Sequence, residues 1–234
     1  MTYSSVKEAI FLTRPNRFEA IAEIDGRTCR VHVKNTGRCK ELLVPGARVY
    51  LEDFSSRMGQ RKLAYDLVAV QKGQLLINMD SQAPNKAVLQ ALKAGAIRIE
   101  GMSALSLIRP ECVYKDSRFD FYLEDSDGKK AYLEVKGVTL ENDEAASFPD
   151  APTARGLKHL HELLEARKEG YAAAMLFVIQ MKGPKVFRPN RANDPAFAEA
   201  LERAQDSGVE LMCYDCIVRP DSMVLDQKVP IGLR

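Results

Sequence analysis

From Phe18 to about Ile77 the chain alternates short apolar runs with turn residues: FEAIAEI, Asp25-Gly26, TCRVHV, Asn35-Thr36-Gly37, ARVYLE and KLAYDLVAV. Period-two alternation over runs of this length predicts strands, and the Gly, Asn and Asp between them predict turns. Asp25-Gly26 separates two alternating runs, and a type I′ turn needs positive φ at both central residues, so these strands are expected to form a hairpin. Five or so short strands predict a small barrel or sandwich. An OB-like barrel fits, although many unrelated barrels share the pattern.

At Gln82-Ala83-Pro84-Asn85 the period changes to that of a helix, KAVLQALKAG, with Gly95 placed to end it. The domain boundary is set there, giving residues 1–85 as an OB-like barrel and 86–234 as a second domain. Strands are then expected at ALSLIR, RFDFYLE and AYLEVKGV, and a helix across ARGLKHLHELLEARKEG. The apolar run AAAMLFVI, a helix from about Asp194 to Ser207 and a strand at VELMCY complete the chain. The order αβββαβαβ predicts a mixed sheet with helices packed on it, so the fold class is mixed α/β.

At 234 residues and 46% hydrophobic, the chain suffices for one large domain or two small ones. No run approaches the roughly 18 apolar residues that span a bilayer, and MTYSSVKEAIFLTRP lacks a basic start with an apolar core. A cytoplasmic protein with no membrane partner is expected. The five cysteines are scattered and odd in number, so no disulfides are expected. Net charge is only +2, but residues 1–85 hold 13 Lys and Arg against 9 acids, while 86–234 hold 21 against 23. The front is basic and the rear is not, an imbalance that an ordinary solvated surface also produces.

Period two in RFDFYLE places Phe119, Phe121 and Leu123 on a core face, and Arg118, Asp120, Tyr122 and Glu124 on the other. In AYLEVKGV it buries Leu133 and Val135 and sets Glu134 beside Lys136. The turn Asp125-Ser126-Asp127-Gly128 pairs the strands antiparallel, which brings Asp120 and Glu134 onto neighbouring strands. Two converging carboxylates repel, and a hard cation such as Mg2+ or Mn2+ relieves that repulsion. Lys136 on the same face could hold a hydroxide or stabilise charge growing on a phosphate. Asp120 and Glu134 are thus candidate metal ligands and, with Lys136, candidate catalytic residues of phosphodiester hydrolysis. The bland alternative is an exposed strand with a Glu–Lys pair.

Other polar residues are weighed the same way. Gln180, at the end of a buried strand, is an added polar group near the site or simply solvated. Phe148 to Gly156 leads into the helix of His159 and His161. There Arg155 could bind a phosphate, and Asp150 or Thr153 could cap the helix. His159 is a ligand, a proton shuttle or a structural histidine. Cys213-x-x-Cys216 ends a strand rather than starting a helix and has no second pair, which speaks against redox or zinc chemistry.

The spacing Asp120, thirteen residues, Glu134-x-Lys136 resembles the PD-(D/E)xK nuclease superfamily, although Phe119 stands where its name has Pro. The whole chain resembles the sugar fermentation stimulation protein family. The matching blocks are Arg14-Pro15-Asn16-Arg17-Phe18, Asn35-Thr36-Gly37-Arg38, Leu42-Leu43 with Pro45-Gly46, Phe119-Asp120, Glu134-Val135-Lys136 with Val138-Thr139-Leu140, Phe148-Pro149-Asp150-Ala151, and Thr153 through His159. The resemblance implies an OB-like barrel joined to a PD-(D/E)xK-type domain, DNA binding, and a regulatory link to sugar use such as maltose metabolism. Ile77-Asn78-Met79-Asp80-Ser81-Gln82-Ala83-Pro84-Asn85 departs from the family's Val-Asn-Thr-x-x-x-Asn stretch.

Three functions follow. The first is a DNA-binding protein that grips phosphates through Arg14, Arg17, Lys34, Arg38, Lys40 and Arg155, with little sequence preference because no base-reading motif is present. The second is a nuclease using Mg2+ or Mn2+ at Asp120, Glu134 and Lys136. The third is a sugar-responsive regulator, which requires a concave pocket.

Overall fold

Alternating apolar residues close the first part of the chain into a barrel. Its strands are β1 (Val6–Asn16), β2 (Glu19–Ile24), β3 (Arg27–Val33), β4 (Arg48–Asp53) and β5 (Tyr65–Lys72), hydrogen-bonded in the order β3-β2-β1-β4-β5. Parallel pairing of His32 and Val33 with Asp66 and Leu67 closes the ring, the arrangement of an OB barrel, and β6 (Leu75–Asn78) extends β5. Phe11, Ala20, Val31, Val33, Val49, Leu51 and Leu67 fill the interior. At the expected hairpin, Asp25 and Gly26 have φ of 50° and 74°, both left-handed. The computed structural model describes residues 1–35 and 37–233, so Thr36, read above as part of a turn, lies outside the described residues.

β1 was not foreseen. Its sequence VKEAIFLTRPN mixes charges with a proline, and its register with β2 slips between Phe11 and Thr13 and again between Thr13 and Asn16. Bulges of this kind let a strand carry a proline that lacks the ladder N–H.

The linker at 79–82 leads into α1 (Ala83–Lys93), where Pro84 sits in the first turn and its missing N–H has no partner to lose. There follow β7 (Leu105–Tyr114), β8 (Ser117–Asp125), β9 (Lys130–Val138), β10 (Leu140–Asn142), β11 (Ala145–Phe148), α2 (Ala154–Lys168), β12 (Ala172–Ile179), β13 (Val186–Pro189), α3 (Pro195–Asp206), β14 (Glu210–Arg219) and β15 (Ser222–Lys228). The main sheet has the order β15-β14-β12-β9-β8-β7, with β12 parallel to β9 and β14 and the other pairs antiparallel. This is the expected mixed sheet. Along β12, Ala173, Met175 and Phe177 belong to the same cluster as Leu160 and Leu163 of α2 and Phe197 and Leu201 of α3. Ala174, Leu176 and Val178 pack with Ala87, Val88 and Leu92 of α1 on the other face. A strand covered by helices on both faces reads as a continuous apolar run, as AAAMLFVI does.

Three parts of this domain escaped the sequence reading. β10, β11 and β13 form a small separate sheet, and each is too short to show a period. β15 buries fully only Met223. The third is a correction to alternation: Phe119 does not share the face of Phe121 and Leu123. It packs with Tyr114 and Tyr132, ring centroids 5.6 and 5.2 Å away, whereas Phe121 and Leu123 join the α1 cluster. Period two breaks at Asp120, where β8 parts from β9.

Candidate metal centre

The ladder between β8 and β9 runs from Glu124 opposite Lys130 to Phe121 opposite Leu133 and stops there. Asp120 and Glu134 stand just past the last pair, where the strands diverge. Asp120 Oδ2 accepts from the Val135 N–H at 2.8 Å in place of a ladder carbonyl, and Oδ1 accepts from Asn85 Nδ2 on α1 at 2.6 Å. Glu134 points toward α2. Its Oε1 accepts from Lys136 Nζ at 2.7 Å and from His159 Nδ1, while Oε2 is buried and has no partner among the described residues. Arg155 Nε lies 3.5 Å from His159 Nε2. Lys136 Nζ lies 3.4 Å from His159 Nδ1, so Glu134, Lys136, His159 and Arg155 form one connected group.

Burial raises the Asp120 carboxyl to about 6, and the neighbouring Glu134 charge adds to the rise. Burial acts the same way on Glu134, but the His159 hydrogen bond and the Lys136 charge outweigh it and hold that carboxyl below its ordinary value. One carboxylate is therefore ready as an anion and the other is costly to ionise. A hard divalent cation fits this pair: it would give Glu134 Oε2 a partner and offset the repulsion that raises Asp120. Among the described residues no group of three or more His, Cys, Asp or Glu is disposed to hold a metal. Backbone carbonyl, water and substrate oxygens would then complete the shell, a pattern common for ions that keep several waters.

His159 had structural and functional readings in the sequence, and the structure places it 2% exposed against Glu134. Asn85 was missed as a member of the site, because a polar residue in the first turn of a helix carries no signal of what lies across from it. Thr153 is the cap of α2, its Oγ1 accepting from the Gly156 N–H at 3.0 Å. Gln180 is not solvated. It is 2% exposed, and its Nε2 donates to Asn78 O at 3.0 Å and to Asp80 O at 3.2 Å. Cys213 and Cys216 lie in the clusters on opposite faces of the main sheet, so their side chains do not converge.

The six expected phosphate contacts separate into two groups. Arg14 is spent on the backbone: its Nη atoms donate to the carbonyls of Gly37, Arg38, Arg17 and Asn35 at 2.7 to 2.9 Å. Lys34 is 13% exposed in its side chain and bridges Asp80 Oδ2 at 2.8 Å and Asp66 Oδ2 at 3.3 Å. The Lys34 charge is neutralised inside the fold and releases no counterion from DNA, whereas Arg14 keeps its charge but has its Nη donors occupied by carbonyls. Arg17, Arg38, Lys40 and Arg155 are exposed. Arg17 lies over the ring of Phe18, 4.7 Å from its centroid.

Two family models match the chain: the N-terminal OB domain over residues 12–79 and the sugar fermentation stimulation protein RE domain over residues 82–222. A sugar fermentation stimulation protein homolog of Alkaliphilus oremlandii is 48% identical over the full length of both chains. One from Ruminiclostridium cellulolyticum is 46% identical, also over the full length of both. SfsA of Pyrococcus furiosus, solved in complex with Ca2+, superposes with a TM-score of 0.88 at 26% identity, covering 99% of this chain and 98% of that one. Among the described residues no helix is long and apolar enough to cross a membrane.

Proposed function

The chain belongs to the sugar fermentation stimulation protein family, and from that premise and its carboxylate pair we propose a DNA-binding protein with a nuclease site that uses Mg2+ or Mn2+. The observation that carries this reading is the buried, unpartnered Glu134 Oε2 beside an Asp120 whose carboxyl is raised to about 6. A bound cation would polarise a phosphoryl oxygen and lower the pKa of a water. The chain's own residues do the rest. Asn85 and the Val135 N–H hold Asp120, and His159 and Lys136 hold Glu134. Lys136 Nζ pairs with Glu134 Oε1 at 2.7 Å, and a cation bound at Glu134 would weaken that pair and leave the ammonium to stabilise charge growing on a phosphate. Arg155 at the first turn of α2 supplies a further cation to the strand.

In this reading residues 1–85 are the barrel unit, which holds DNA through Arg17, Arg38 and Lys40, and residues 86–234 carry the site. Phosphate contacts of this kind confer affinity without sequence preference. The test is cleavage of single- and double-stranded DNA with Mg2+ or Mn2+, comparing the wild type with Glu134→Ala and Lys136→Ala. Cleavage by the wild type alone is expected. Metal binding without cleavage would instead leave a DNA-binding regulator built on a nuclease-like fold, the role that the family resemblance links to sugar use.

A further inference from the structure

One guanidinium ties together the two loops that carry the exposed cations of the barrel. Arg14 lies on β1 where that strand bulges: Arg14 and Pro15 stand against Ala20 alone, between the pairs Thr13–Ile21 and Asn16–Glu19. A bulge re-aims the side chain it carries. Nη1 of Arg14 donates to Gly37 O at 2.8 Å and to Arg38 O at 2.9 Å. Nη2 donates to Arg17 O at 2.8 Å and to Asn35 O at 2.7 Å. Arg17 belongs to the turn between β1 and β2. Asn35, Gly37 and Arg38 belong to residues 34–47, which join β3 to β4 with no helix or strand among the described residues. The donors of Arg form a rigid planar fork that can span several carbonyls, whereas the Lys ammonium is a point charge on a flexible stem.

The same connection is anchored from the second domain. The Arg38 N–H donates to Asp150 Oδ2 at 3.1 Å, and the Gly37 N–H donates to Asn35 Oδ1 at 2.8 Å. A Cβ at Gly37 would meet Asp150 Oδ2 at 2.6 Å, so glycine is what allows this approach. Asp150 is placed in turn through its carbonyl, which accepts from Asn193 Nδ2 at 3.1 Å. It precedes Thr153, the cap of α2, and Arg155 in the first turn. The backbones of Arg17 and Arg38 thus have set places relative to each other and to the start of α2, while both side chains are exposed.

A connection without secondary structure of its own is ordinarily mobile, and ordering it on a ligand lowers affinity. Fixing it beforehand removes that cost. We propose that Arg14 is a positioning residue for DNA, which touches no phosphate itself and pre-forms the surface from which Arg17 and Arg38 reach the strand. The proposal rests on the DNA-binding reading above. It differs from a purely structural role, in which the bonds of Arg14 would stabilise the fold and leave the affinity of the folded protein untouched.

The test is fluorescence anisotropy with a short labelled oligonucleotide, as single strand and as duplex, titrated at several salt concentrations in EDTA so that no cleavage intervenes. Arg14→Lys keeps the charge and loses the fork. Its folded fraction is expected to bind about tenfold more weakly than the wild type, roughly the ordering cost of one residue's backbone, with the slope of log affinity against log salt unchanged. Undiminished affinity in Arg14→Lys, with or without a lower urea midpoint, overturns the proposal and leaves the DNA-binding reading standing. A loss accompanied by a slope lower by about 1, as a phosphate contact gives, also overturns it. Absence of binding by the wild type to either form overturns the DNA-binding reading and the proposal with it. The unaltered protein supplies a second measurement that does not depend on the folding of the variant. Hydrogen exchange at the Gly37 and Arg38 amides should be as slow without DNA as with it, and protection that arises only with DNA overturns the proposal.

Discussion

Asp120 keeps a proton at a pH where an ordinary aspartate has lost it, and a cation must displace that proton. Its carboxyl is raised from 3.8 to about 6, first by burial and then by Glu134. Without metal, the stability linked to this group is full below its unfolded value and is lost as pH rises through about 6. With metal the sign reverses, since binding releases the proton below that pH. Mn2+ affinity measured by calorimetry is expected to weaken about tenfold per pH unit below 6 and to level off above it. In Asp120→Asn the affinity should be weak with this slope abolished. In the proposed site His159 would act as a positioning residue, through its hydrogen bond to Glu134. Removing its hydrogen bond to a charged group in His159→Ala should cost about 1.5–3 kcal/mol in urea unfolding and weaken Mn2+ binding, with part of both recovered in His159→Asn.

At the scale of elements, two devices set the site: the divergence of β8 from β9, and the N-terminal turns of α2. Thr153 caps α2, and Arg155 and His159 follow within its first two turns. Thr153→Ala should lower stability by about 1 kcal/mol. Fraying of that turn should also weaken Mn2+ binding, which a replacement at the far end of α2, such as Lys168→Ala, should leave unaltered. Gly156 is required here for packing, because a Cβ would press on the Thr153 side chain and the Phe197 ring.

Across the whole molecule, polar contacts join the barrel to the second domain. Asp80, fully buried, accepts from Lys34 of the barrel and from the Gln82 N–H at the start of α1. The Asn78 N–H donates to Gln180 O, and the Arg38 N–H donates to Asp150. The chain is therefore expected to unfold in one transition. Lys34→Ala, which leaves Asp66 and Asp80 buried without this cation, should cost about 3–5 kcal/mol by urea unfolding. The exposed cations should show themselves differently. Arg38→Gln and Lys40→Gln should each reduce the slope of log affinity for DNA against log salt by about 1, with little loss of stability.

Much of this was legible from local pattern. Period two along RFDFYLE and AYLEVKGV placed Asp120 and Glu134 on paired strands, the Asp25-Gly26 turn announced its hairpin, and AAAMLFVI announced a buried strand. Backbone periodicity and turn chemistry act over a few residues, so one chain is enough to express them. The sequence could name Asp120, Glu134 and Lys136 as carboxylates and a cation able to share a metal site. It could not show that Asn85 would reach Asp120 from 35 residues away or that His159 would face Glu134 from 25. Nor could it separate Lys34 and Arg14, consumed inside the fold, from Arg38 and Lys40, left to the solvent. Those assignments depend on which partners the closed barrel and the packed sheet bring within hydrogen-bond distance. Desolvation then decides whether each charge is shared with a neighbour or left free, and that belongs to the tertiary structure alone.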